Sequence, residues 1–159
     1  MTATMLDLEM SSTLPLPWDG DQWLSTTGRP AASGFAPLSE FDRVVHIELR
    51  RLAALQPNWD GEGARKIDGR LIAAAREFVS RLPGRIKADV AIPAVVPMRK
   101  GNLQFEWHDG PRTLEVEVET PAQIHYLKWH PEAGVEEEEI LPISDVQAFA
   151  DLLTWFMKA

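Results

Sequence analysis

The chain has 159 residues, a hydrophobic fraction of 45%, no cysteine and a formal net charge of −8; this length supports one domain with a sizeable core rather than two. The missing cysteines exclude disulfides and thiolate metal sites and fit a reducing cytoplasm, the expected location. The acidic balance argues against direct binding to nucleic acid or an anionic membrane, no run of 18 apolar residues is present to cross one, and MTATMLDLEM lacks the basic start and long apolar stretch of a secretory leader.

Residues 1–37 read as a tail. Pro15, Pro17, Pro30 and Pro37 interrupt them too often for a long helix. Yet Leu14, Leu16, Trp18, Trp23, Leu24 and Phe35 make the segment more apolar than a solvating linker needs. Either it wraps the surface of its own domain, or it orders on a partner.

Residues 38–159 read as a single α+β domain. A first helix is expected over 39–55, with Ser39 as N-cap, Glu40 and Asp42 at its positive end, and Phe41, Val44, Val45, Leu49, Leu52 and Leu55 on one face. Pro57 ends it. After the loop Gln56–Lys66, a second helix over 68–82 has Asp68 as N-cap, Leu71, Ala75, Phe78 and Leu82 as its stripe, and Pro83-Gly84 as its stop.

The period then changes from helical to alternating. Ala94–Met98, beside Pro93 and Pro97, reads at best as an edge strand. Leu103, Phe105 and Trp107 alternate with polar residues, as do Leu114, Val116 and Val118, and Asp109-Gly110-Pro111 turns between these two strands. Further strands are expected over 122–130 and 135–141, with Trp129 in or near the core. A last helix begins at Ser144 and buries Val146, Phe149, Leu153, Phe156 and Met157. The order is ααβ(β)βββα: a two-layer fold with an antiparallel sheet of four to five strands, helices on one face and acids on the other.

Charge is segregated along this domain. Residues 101–145 hold eleven acids and two bases, a net −9, whereas residues 38–100 hold twelve bases and eight acids, a net +4. Such asymmetry concerns partners and steering rather than fold. Glu115, Glu117 and Glu119 project to one side at about 7 Å spacing, two strand rises apart, and Glu136, Glu137, Glu138 and Glu139 add two more to each face of their strand or its edge. That surface repels nucleic acid and attracts a basic groove. It also has a plainer use, keeping an edge soluble and unpaired. Six tryptophans against one tyrosine sharpen the choice, because Trp is enriched among interface anchors. Trp18, Trp23, Trp59 and Trp155, which falls off the stripe of the last helix, are the candidate anchors.

Other chemistry has less support. There is no Gly-x-Ser-x-Gly elbow and no phosphate-cradling Gly-x-x-x-x-Gly-Lys-Ser/Thr loop. Glu106 and His108 lie two residues apart on one strand, and His125 is expected on a neighbouring one; together they form the candidate metal set and the core of an alternative reading as a metal-dependent or acid–base enzyme. No cofactor is expected.

The loop Asn58-Trp59-Asp60-Gly61-Glu62-Gly63-Ala64 has two glycines for a tight path, a Trp to plug it to the core, and Asp60 and Glu62 to hold a cation or a partner's base. More simply, it is a clamp between two helices. With Ile67-Asp68 and the later Leu103–Trp107 segment, it resembles a pattern in small uncharacterised bacterial proteins, in which a Trp-Asp-Gly-x-Gly-Ala loop precedes a helix and a hairpin. That resemblance implies a bacterial or phage origin and a compact fold, and no activity.

The expectation is therefore a non-catalytic protein-binding module: an inhibitor, antitoxin-like neutraliser or accessory subunit of a basic nucleic-acid-binding enzyme or effector complex. It would meet nucleic acid only indirectly and a membrane not at all. A structural homo-oligomer is the third reading.

Overall fold

The computed structural model describes residues 38–158. The chain divides into two units, Met1–Ala36 and Pro37–Ala159; the described residues belong to the second, and the expectations placed on residues 1–37, including Trp18 and Trp23, lie outside them.

Three helices come first. α1 (Glu40–Ala53) is capped by Ser39, whose Oγ accepts from the Asp42 amide at 3.0 Å, and it buries Phe41, Val45, Leu49 and Leu52. α2 (Gly69–Ser80) is capped by Asp68, whose Oδ1 accepts from the Arg70 amide at 2.8 Å. Pro83 and Gly84 end α2 as expected. They also open α3 (Gly84–Asp89), a six-residue helix with no counterpart in the sequence reading. Its single turn is too short for a period to show, and burial of Ile86 and, just beyond it, Val90 holds it in place.

Five strands follow: β1 (Ala94–Pro97), β2 (Leu103–Asp109), β3 (Arg112–Thr120), β4 (Gln123–His130) and β5 (Val135–Pro142). They lie in the spatial order 1-2-3-4-5, every pair antiparallel. The sheet is thus a meander in which each strand pairs with its neighbour in sequence. α4 (Val146–Met157) closes the domain. Its N-cap is Asp145, one residue beyond the expected Ser144, with Oδ1 accepting from the Ala148 amide at 3.0 Å.

The two-residue period decides what each face carries. Leu103, Phe105 and Trp107 of β2 stand opposite Val118, Val116 and Leu114 of β3, and Ile124 and Tyr126 of β4 continue the row. These side chains and the stripes of all four helices form one core cluster. The Phe78 and Phe149 rings approach to 4.4 Å, Trp107 lies 6.1 Å from Phe149, and the Trp107 Nε1–H donates to the Ala91 carbonyl at 2.8 Å, so the indole's polar atom is satisfied inside the core. The fold is α+β with helices on one sheet face. Among the described residues no helix is long and apolar enough to cross a membrane.

Candidate functional site: the open acidic face of the sheet

The residues alternating with the core positions face away from the helices. The register sets Glu106 opposite Glu115, Gln104 opposite Glu117, Glu117 opposite His125, Leu127 opposite Glu138, and Trp129 opposite Glu136. Five glutamates therefore share this face. The strand residues of the same parity include no Lys or Arg; the bases of β3 and β4, Arg112 and Lys128, point to the helix side.

Neutral donors hold these carboxylates instead. Gln104 Nε2 donates to Glu106 Oε1 at 3.2 Å and to Glu115 Oε2 at 3.0 Å, and Asn102 Nδ2 donates to Glu117. His125 Nε2 lies 2.8 Å from Glu138 Oε1, and His108 Nε2 lies 3.7 Å from Glu106 Oε2. Amides orient a carboxylate without cancelling its charge, so the face stays negative. Its remaining surface is apolar: Leu127 is half-buried, while Trp129 and Ile140 are 41% and 55% exposed. Trp129 was expected in or near the core. The pairing of Thr113 with Trp129 places it on the open face instead.

The other expected site residues divide. Glu115 and Glu117 lie on the open face. Glu119 follows a register shift between Val118 and Thr120 and lines a hollow at the sheet's end with Asp68, Lys100 and Glu117. Glu136 and Glu138 are on the open face; Glu137 and Glu139 turn to the helix side. Glu137 accepts from the Tyr126 hydroxyl at 2.6 Å and pairs with Lys128, and these two bonds hold its carboxyl below the usual range. The tyrosine responds in the opposite sense: burial, then the facing Glu137 carboxylate, pushes its hydroxyl far up.

Trp155 is half-buried and engaged rather than an exposed anchor. Lys128 Nζ and the Arg112 guanidinium lie 5.3 and 5.7 Å from its ring centre, and Arg112 Nη1 donates to the Trp155 and Phe156 carbonyls at the end of α4. Arg112 thus satisfies helix-end carbonyls, and both bases lie over the indole in cation–π contact.

The loop Asn58–Ala64 is built as a clamp. Asn58, Gly61 and Gly63 have φ of 66°, 77° and 91°, the left-handed region that favours glycine and tolerates asparagine. Asp60 Oδ1 accepts from the Glu62 and Ala64 amides at 2.8 and 3.0 Å; these bonds, with Arg99, hold its carboxyl below the usual range. Arg99 reaches Asp60 Oδ2 at 2.9 Å and Glu62 Oε2 at 3.1 Å, while Trp59 Nε1 donates to the Arg65 carbonyl at 3.1 Å. Both acids thus spend their charge on Arg99, in the turn between β1 and β2.

Glu106, His108 and His125 are not brought together. β3 lies between the two histidines, since His108 pairs with Thr113 and His125 with Glu117, four residues further along that strand. This offset is about 13 Å. Among the described residues no group of three His, Asp or Glu side chains is placed to hold a metal ion. Sequence reasoning missed the part played by Gln104 and Asn102. The signal for Gln104 is its parity, shared with Glu106.

The chain matches no protein-family profile, no curated protein and no solved structure.

Proposed function

We propose that this chain is a non-catalytic protein-binding module whose open sheet face takes a basic protein. The role is that of an inhibitor, neutraliser or accessory subunit of a partner whose own business is with nucleic acid. One observation carries the reading: Glu106, Glu115, Glu117, Glu136 and Glu138 share a face with no Lys or Arg among its strand residues. A solubilising surface is better served by mixed signs. A one-sign field raises the rate of encounter with an oppositely charged partner and weakens as salt rises. The exposed Trp129 and Ile140 supply the apolar contact that charge alone lacks.

The test is co-purification of the full chain from its native cells at low salt, with and without nuclease, followed by mass spectrometry. A stoichiometric basic protein that survives nuclease and elutes as salt rises supports the reading. The variant Glu115→Lys/Glu117→Lys/Glu138→Lys must lose that partner. An unchanged yield and salt slope would sink the proposal.

A further inference from the structure

The sheet has two edges, and they differ. β1 is four residues long, is bracketed by Pro93 and Pro97, and its Val95 carbonyl accepts from Arg51 Nη2 at 3.4 Å. Shortness and proline close an edge to further pairing. β5 is eight residues long, pairs with β4 without a register break, and has proline only at its last position. Among the described residues β5 has one strand neighbour, β4. Among those residues its backbone groups on the other side form an open row, and a regular edge of this length is a template for another strand.

We propose that β5 receives an extended Lys/Arg-rich segment of the basic partner as a sixth strand of the sheet. This rests on the acidic-face reading above and adds the form in which the partner binds. Glu136 and Glu138 flank the open row on one side and Glu137 and Glu139 on the other. Glu137 is already paired with Lys128 and Glu138 already meets His125, so Glu136 and Glu139, both exposed, are the first to meet the incoming bases.

Charge decides between occupants. A second copy adding its own β5 would set glutamates against glutamates, and like charges directly opposite destabilise a ladder. Residues 1–37 hold four acids and one base, so that segment also arrives with the wrong sign. A basic strand gains the backbone ladder and opposite-charge pairs at Cβ separations of about 4.5–5.5 Å. The same glutamates that stop self-pairing therefore select the partner.

The experiment titrates the full chain with a capped eight-residue peptide alternating Lys and Val, and with the same peptide N-methylated at every backbone amide. Calorimetry gives the affinity, and hydrogen exchange reports the outward-facing β5 amides, those that do not bond to β4. The expected result is binding of the first peptide, protection of β5 amides, at least a tenfold loss on N-methylation, and at least a tenfold loss in Glu136→Lys/Glu139→Lys. Equal binding of the two peptides overturns strand addition while leaving the acidic-face reading standing, because charge alone then suffices. No binding of either peptide overturns it as well, and co-purification judges the broader reading separately. Outward-facing β5 amides already protected in the free chain would also overturn it, by showing the edge filled by the chain itself or by a second copy.

Discussion

Glu115→Gln should make the isolated protein more stable. Glu115 stands directly opposite Glu106, and both carboxylates accept from the single Gln104 Nε2, at 3.0 and 3.2 Å. Their oxygens therefore lie within about 6 Å of each other, where two unit charges repel by about 0.7 kcal/mol in bulk water and about 3 kcal/mol at an effective dielectric of 20. The Glu106 side chain is 25% exposed, and solvent screening draws the value toward the lower bound. A glutamine at position 115 keeps an oxygen for Gln104 to bond, so the substitution removes the charge and spares the hydrogen bond. The expected gain is about 1 kcal/mol, a rise of about 3 °C in Tm for a domain of this size. Between roughly 0.01 M and 1 M salt the screening length falls from about 30 to 3 Å, so the gain should shrink to a few tenths of a kcal/mol. Thermal and urea unfolding of both proteins at the two salt concentrations checks this. A variant that melts below the parent at both would refute the reasoning, because Glu115 would then be holding the sheet together.

Lys87→Met removes the partner of Asp42 in an ion pair of 2.8 Å whose side chains are 7% and 10% exposed, together with a 3.0 Å bond to the Ser80 carbonyl. An uncompensated buried carboxylate costs about 3–5 kcal/mol, which urea denaturation will read. Burial pushes the Asp42 carboxyl up, but the bonds from Lys87 and Ser39 outweigh it and the net shift is downward. The parent therefore holds this contribution above the ordinary carboxylate range and loses it as pH falls through the lowered folded value, and the variant should show a smaller or reversed acid dependence between about pH 5 and pH 2. Gly101→Ala places a Cβ 2.9 Å from the Lys66 carbonyl oxygen at a φ of +94°; a loss of about 1–3 kcal/mol in the same assay is expected, and an unchanged midpoint would contradict it. Tyr126 is the chain's one tyrosine, so phenolate absorbance reports it alone. Its raised value predicts no ionisation near pH 10, where a free tyrosine titrates; the stability of the neutral form is present below that pH and is lost as pH climbs toward the folded value. A transition near 10 in a still-folded sample would show the Glu137 bond to be absent.

The layers were legible because burial writes itself into periodicity. Leu103-Phe105-Trp107 and Leu114-Val116-Val118 alternate strictly, and both are core rows. Ser39 and Asp68 are caps because the orphan amides of a helix start need an acceptor there. What escaped was set by contacts distant in sequence. Trp129 lies in a correctly expected strand, but its side of the sheet follows from its pairing with Thr113 of β3. Trp155 is visibly off the stripe of α4, yet nothing local says that Arg112 and Lys128 will stack on it from the sheet. Asp60 and Glu62 left a site open beside the favoured clamp until Arg99, from the turn between β1 and β2, takes both. The four consecutive glutamates of β5 were expected two to a face, and the pairing with β4 says which two lie on the open one, Glu136 and Glu138.

Because the strands lie in space in the order in which they lie in sequence, the whole sheet assembles by hairpin closure, with no strand inserted between two others. Loop-closure entropy is therefore met in small steps, and the formation rate of the sheet should owe little to chain length. The exception is α4. Phe149, Leu152, Leu153 and Phe156 sit in the same core as α1 and α2, so the last helix made joins the first to the sheet. During synthesis the meander can zip strand by strand as it emerges, but its core stays open until α4 leaves the ribosome, which makes α4 the step that commits this domain to its native state.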